Sequence, residues 1–164
     1  MKKINKKLLL VSVLCLAMFA FFGCSDEPEA EPEVNEAATI HEYEDIAAAP
    51  ETFEDYLKAT EIIDKAFTYA PTDLQNRLAE IDTNDAAAVQ TVVDTVKKPF
   101  VQFMALTPPA EYEAANADFV KACELTISYI EKTAAGEDAA ADHKAAQEAM
   151  NAAITAVADV MLNQ

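Results

Sequence analysis

Glycine occurs twice in this 164-residue chain, at Gly23 and Gly136, and tryptophan not at all. A loop that cradles phosphates needs clustered glycines, so nucleotide-binding motifs of that kind are excluded. Also missing are a Gly-x-Ser-x-Gly nucleophile turn, a His-Glu-x-x-His zinc motif and a Cys-x-x-Cys-His haem attachment run. Basic residues are scarce: 12 Lys and Arg stand against 29 Asp and Glu, a formal net charge of −17. A surface of that sign repels phosphate backbones, so nucleic acid is not an expected partner. Cysteine appears only at positions 15, 24 and 123, and histidine only at 41 and 143. The chain therefore has few of the groups from which active sites are made.

What it does have begins at the N-terminus. Lys2, Lys3, Lys6 and Lys7 precede an uncharged run from Leu8 to Phe22, and Gly23-Cys24 closes it. The run is 15 residues long, short of the roughly 20 apolar residues that a membrane-spanning helix needs. A basic start, a short apolar stretch and a small residue before a cut form an export signal. Phe21-Phe22-Gly23-Cys24 resembles the lipobox of bacterial lipoproteins. That resemblance implies cleavage between Gly23 and Cys24 and lipidation of Cys24. Phe21 departs from the family's usual aliphatic residue three before the cysteine. Each buried lipid CH₂ contributes about 0.8 kcal/mol, so two or three acyl chains give a stable anchor. The expected location is the bacterial cell envelope, extracytoplasmic and held to the membrane by lipid.

Cleavage there leaves 141 residues with a formal charge of −21, enough for one domain with its own core. Cys123 becomes the single thiol, so no intramolecular disulfide is available. Residues 24–38 are acidic, carry Pro28 and Pro32, and lack large apolar side chains except Val34. Such a segment buries too little surface to offset its ordering entropy and reads as a disordered tether. Its opening, Ser25-Asp26-Glu27, is similar to the acidic surface-export signals of some bacterial lipoproteins.

The expected organisation is thus a signal peptide over 1–23, a tether over 24–38 and a helical domain over 39–164. From Ile40 onward, apolar residues recur at spacings of three and four. The first stripe is Phe53, Leu57, Thr60, Ile63 and Phe67, with Pro71 expected to end its helix. A short extra helix follows with Leu74, Leu78 and Ile81. Thr83 and Asn84 are N-cap candidates for the next. That helix carries Val89, Val93, Val96, Phe100 and Phe103, with a kink or break expected at Pro99. Thr107-Pro108-Pro109 stops one helix and starts another, which carries Tyr112, Asn116, Phe119, Cys123, Thr126 and Ile130. Gly136 sits where a C-terminal cap is wanted. The last stripe is His143, Ala146, Met150, Ala153, Val157 and Val160. The fold class is all-α, an antiparallel four-helix bundle with one short extra helix. Residues 105–131, where Pro-Pro-Ala-Glu-Tyr opens an amphipathic helix, resemble small helical bacterial lipoproteins of unknown function. That resemblance supplies no functional residues.

Each chemical candidate has a plainer structural explanation. His143 is a possible metal or haem ligand, but Ala140 stands where a Glu-x-x-His motif needs its acid. On a helix His41 and Asp45 would share a face and could form half a metal site, but acids are so abundant here that such pairs are expected by chance. Asp82-Thr83-Asn84-Asp85 begins like a calcium loop, but Ala87 replaces the required glycine, so capping is the better reading. Cys123 lies on an apolar stripe, which suits packing better than nucleophilic chemistry. The sequence therefore points to a lipoprotein that is not an enzyme and needs no cofactor. Its helical module would bind an envelope protein or small ligand. The alternative is a metal- or haem-binding bundle, and an envelope enzyme ranks behind both.

Overall fold

The computed structural model describes residues 40–50 and 52–163. The segments read from the sequence as a signal peptide and a tether, with Gly23 and Cys24 between them, lie outside these residues. The described chain is all-helical, with four long helices and no strand among the described residues. None of those helices is long and apolar enough to cross a membrane.

Helix α1 spans Phe53–Ala79. Thr52 caps it: its Oγ1 accepts from the Asp55 amide at 3.1 Å, and the Asp55 carboxylate accepts from the Thr52 amide at 3.1 Å. This reciprocal pair satisfies two donors that the first turn otherwise leaves without partners. Pro71 does not end the helix, which runs on through Leu74 and Leu78. The expected short extra helix is therefore the last part of α1, and Ile81 lies beyond it. Pro71 has no amide to give the Phe67 carbonyl, a local loss. Around it Phe67, Ala70, Asp73 and Leu74 are all buried, and packing on that scale outweighs one missing bond.

Helix α2 spans Ala86–Met104. Its cap is Asp85, not Thr83 or Asn84: Asp85 Oδ1 accepts from the amides of Ala87 at 2.9 Å and Ala88 at 3.3 Å. Asp82 instead folds the loop by accepting from the Asn84 amide at 3.0 Å. The capping reading of this tetrad holds with the cap one or two residues later. Pro99 lies within a continuous helix and does not split it.

After Pro109 the chain makes a 3₁₀ turn, Ala110–Tyr112, and enters α3, Glu113–Ala134. Gly136 follows with φ of +74°. It donates to the Thr133 carbonyl at 3.0 Å, and Glu137 donates to the Lys132 carbonyl at 2.8 Å. This is a Schellman stop, which requires the left-handed residue that glycine supplies. Helix α4 spans Ala140–Leu162.

Each helix packs on the next in sequence, and α1 also meets α3. The contact between α3 and α4 is the most extensive, in keeping with the small buried residues Ala146, Ala149 and Ala153 on α4. The core is rich in aromatic rings: Tyr56, Phe100, Phe103, Tyr112 and Phe119 are fully buried. The Tyr56 hydroxyl donates to Asn116 Oδ1 at 3.3 Å, so this buried polar pair has its partner.

Residues 40–50 are not helical, contrary to expectation. They form an extended strap laid across α1 and α2. The Thr107 amide donates to the Ala48 carbonyl at 2.9 Å, the Ile46 amide donates to Gln102 Oε1 at 3.3 Å, and the Ile46 side chain is buried. These bonds satisfy backbone groups that a helix would have satisfied internally.

Candidate functional site

Tyr69, Asp73 and Arg77 follow one another at spacing four on α1, so they share one face of the helix. Asp73 is the unusual member, a carboxylate only 2% exposed. A buried charge is costly unless its acceptor positions are filled. The strap fills them. Asp73 Oδ1 accepts from the His41 amide at 3.2 Å and faces His41 Nδ1 at 2.9 Å, while Oδ2 accepts from the Tyr43 hydroxyl at 3.2 Å. The His41 ring stacks on Tyr69 with centroids 3.8 Å apart and planes 13° from parallel. Arg77 Nη2 reaches the His41 carbonyl at 3.4 Å. Burial, and then the negative charge of Asp73, hold the Tyr43 phenol well above its ordinary range. Tyr43 thus stays a neutral donor.

On the other side of the strap, Asp45 binds α2. Its Oδ1 accepts from Lys98 Nζ at 2.8 Å and from Gln102 Nε2 at 2.9 Å. The Lys98 contact, with that of Gln102 behind it, draws the Asp45 carboxyl below its usual range. The candidate pairing of His41 with Asp45 on one helix face is therefore not formed, as the plainer reading of chance spacing among many acids has it. The segment is extended, and the two residues bind different helices.

Between strap, α1 and α2 lies a cleft of about 210 Å³. Strap residues His41, Glu42 and Tyr43 form one wall, Asp73 and Arg77 line it from α1, and Pro99 from α2. Pro99 has no amide, so the carbonyl of Thr95, another lining residue, loses its donor within the helix. The cleft thus collects charged, aromatic and backbone polar groups in one small volume. A second groove, of about 550 Å³, lies where the α1–α2 loop meets the end of α3. It is larger but poorer in chemistry: its acid, Glu131, is held by Lys97 Nζ at 2.7 Å.

His143, the ligand candidate of the sequence, lies apart from the cleft in the first turn of α4. Its ring is half-buried between Tyr129, at 4.9 Å between centroids, and Phe67, at 6.2 Å. Among the described residues, no group of three His, Cys, Asp or Glu side chains is placed to hold a metal ion.

Cys123 is fully buried, and burial, with Glu124 behind it, pushes its thiol up to about 12. Thiolate is the reactive form. At pH 8 Cys123 should therefore resist iodoacetamide in the folded protein and react only after unfolding in urea, with mass spectrometry of the peptide as the readout. Rapid labelling of folded protein would mean that the helix opens locally around residue 123.

Sequence reasoning missed Asp73, Arg77 and Tyr43. One signal was present. Asp73 falls between Ala70 and Leu74 on the buried face of α1, where an acid needs a partner. Comparison with protein-family models, curated proteins and solved structures gives no match for this chain.

Proposed function

We propose that this chain is a lipid-anchored, extracytoplasmic bacterial lipoprotein whose helical domain is a non-catalytic binding module. Its four helices pair as an antiparallel bundle, and the cleft under the strap is its ligand site. One observation carries the binding reading. A buried carboxylate on α1 fixes a histidine and a tyrosine from a segment 30 to 32 residues away, at the edge of a cavity. Convergent polar groups around a concave space are what small-molecule sites use. Ligand sites also gain from side chains held in place before binding. The strap is the first described part of the chain after residues 24–38, so an anchor at Cys24 would connect to the domain through the wall of the cleft.

The lipoprotein half of the reading rests on the Lys-rich start, the apolar run and Gly23-Cys24. Intact mass of membrane-extracted protein should show a chain beginning at Cys24 with added acyl mass. Cys24→Ala should abolish both cleavage and acylation. A wild-type protein that keeps residues 1–23 and carries no acyl group would leave an uncleaved membrane anchor as the better account.

A further inference from the structure

Arg77 is the one arginine in the sequence. In a chain with 29 carboxylate side chains, it has no ion pair among the described residues. Its recorded bond is a long one, 3.4 Å, to the neutral carbonyl of His41. Asp73, one turn earlier, is the natural partner by spacing. That carboxylate is occupied by His41 and Tyr43 instead. A guanidinium offers five N–H donors in a planar fork that matches a carboxylate. One of those donors reaches the His41 carbonyl, and Arg77 lines the cleft.

His41 supplies the second polar contact. Asp73 accepts from the His41 amide and the Tyr43 hydroxyl, and Oδ1 lies 2.9 Å from His41 Nδ1. The tautomer that donates to this carboxylate carries its hydrogen on Nδ1. In the neutral imidazole Nε2 is then the acceptor. The third group is Glu42, exposed on the strap wall and without an ion pair among the described residues. Glu44 and Lys98 also line the cleft but are paired with Lys58 and Asp45. That leaves Arg77 and Glu42 as its charges without an ion pair among the described residues, beside His41 and the apolar surface of Ala66, Ala70, Val96 and Pro99.

We propose that the cleft binds a free α-amino acid as its zwitterion, with the carboxylate on the Arg77 fork and the ammonium shared between His41 Nε2 and Glu42. The proposal rests on the cleft being the ligand site. Net charge decides between this ligand and a simple anion. A protein of −17 repels an anion at long range. A zwitterion carries no net charge and uses the charges of Arg77 and Glu42 at once. Size agrees: about 210 Å³ falls below the roughly 300–1,000 Å³ of sites for drug-sized molecules. The alanines and Pro99 leave space for an apolar amino-acid side chain.

The test uses the full chain in detergent micelles, with the His41 ring and Arg77 guanidinium followed by NMR. Glycine, L-alanine and L-leucine are titrated against acetate, inorganic phosphate and ethylamine. Amino acids should shift both resonances saturably, while the half-molecule probes should need concentrations at least about tenfold higher. Arg77→Lys keeps the charge but removes the fork, and should weaken amino-acid binding about tenfold. Glu42→Gln, at an exposed position, should weaken it with the melting temperature unchanged. Acetate or phosphate binding as tightly as amino acids would overturn the zwitterion and leave the cleft as a ligand site. If no probe shifts either resonance, this proposal and the cleft reading both fail. Amino-acid binding untouched in both variants would place the ligand elsewhere and overturn the assignment.

Discussion

Phe119→Ala should lower the stability of the domain by about 3–5 kcal/mol, the range for truncating a fully buried phenylalanine. Phe119 is 1% exposed on α3, and its ring meets that of Phe103 on α2 at 5.4 Å between centroids, tilted by 56°. Two terms add. Removing the ring forfeits its transfer from water and leaves a cavity that neighbouring helices fill only in part. The tilted ring pair contributes about 0.5–1.5 kcal/mol beyond area alone. Domains of this kind are stable by about 5–15 kcal/mol in total, so this one change removes a large share. Urea denaturation followed by circular dichroism gives the number, and an unchanged slope would show that the unfolded state is unaltered. Phe119→Leu should cost clearly less, since it refills most of the volume. A loss below about 1 kcal/mol for the alanine variant would show that α3 can repack around residue 119.

Phe119 was legible in the sequence because helix burial has a period, and the period survives in the residue order. Leu57, Thr60, Ile63 and Phe67 on α1 are all buried, as are Val93, Val96, Phe100 and Phe103 on α2. Asn116, Cys123, Thr126 and Ile130 on α3 follow the same rule, as do Ala146, Met150, Ala153 and Val157 on α4. Gly136 was legible for a different reason: a left-handed residue at a helix end favours glycine whatever surrounds it. Pro71 was misleading because its cost is local while the packing that outweighs it comes from Phe67, Ala70 and Leu74 against other helices.

The cleft was not legible, since its contacts are not periodic. His41 and Asp73 are 32 residues apart, and Asp45 and Gln102 are 57 apart. Nothing in the spacing of residues 40–50 sets them against α1 rather than in a helix of their own. Asp73 was easy to overlook among 29 acids, most of which belong in water. The buried face of α1 turns it from a solvated charge into a constraint, because an acid there must be matched by donors from another part of the chain. His143 illustrates the converse. A histidine on an apolar stripe invites a ligand reading, but its neighbours are the rings of Phe67 and Tyr129.

The strap should come loose when Asp73 is replaced by alanine. Asp73→Ala removes the acceptor for the His41 amide, the His41 ring and the Tyr43 hydroxyl at once. Hydrogen bonds to a charged group contribute about 1.5–3 kcal/mol each, but three bonds on one carboxylate are not additive. The strap can also peel away and return its donors to water, which caps the loss. A cost of about 2–4 kcal/mol follows, below the sum of the separate bonds. Asp73→Asn separates charge from shape. With its oxygen at the Oδ1 position, asparagine still accepts from His41, and the Tyr43 hydroxyl can rotate to accept from the new amide, so the cost should fall to about 1 kcal/mol. Limited proteolysis reads the mechanism directly. The alanine variant should be cut within residues 40–50 while α1 to α4 stay protected, and the asparagine variant should resist like wild type. An alanine variant as resistant as wild type, with stability within about 1 kcal/mol of it, would mean that Ile46, Gln102 and Lys98 hold the strap without Asp73. The buried carboxylate would then not be what fixes the wall of the cleft.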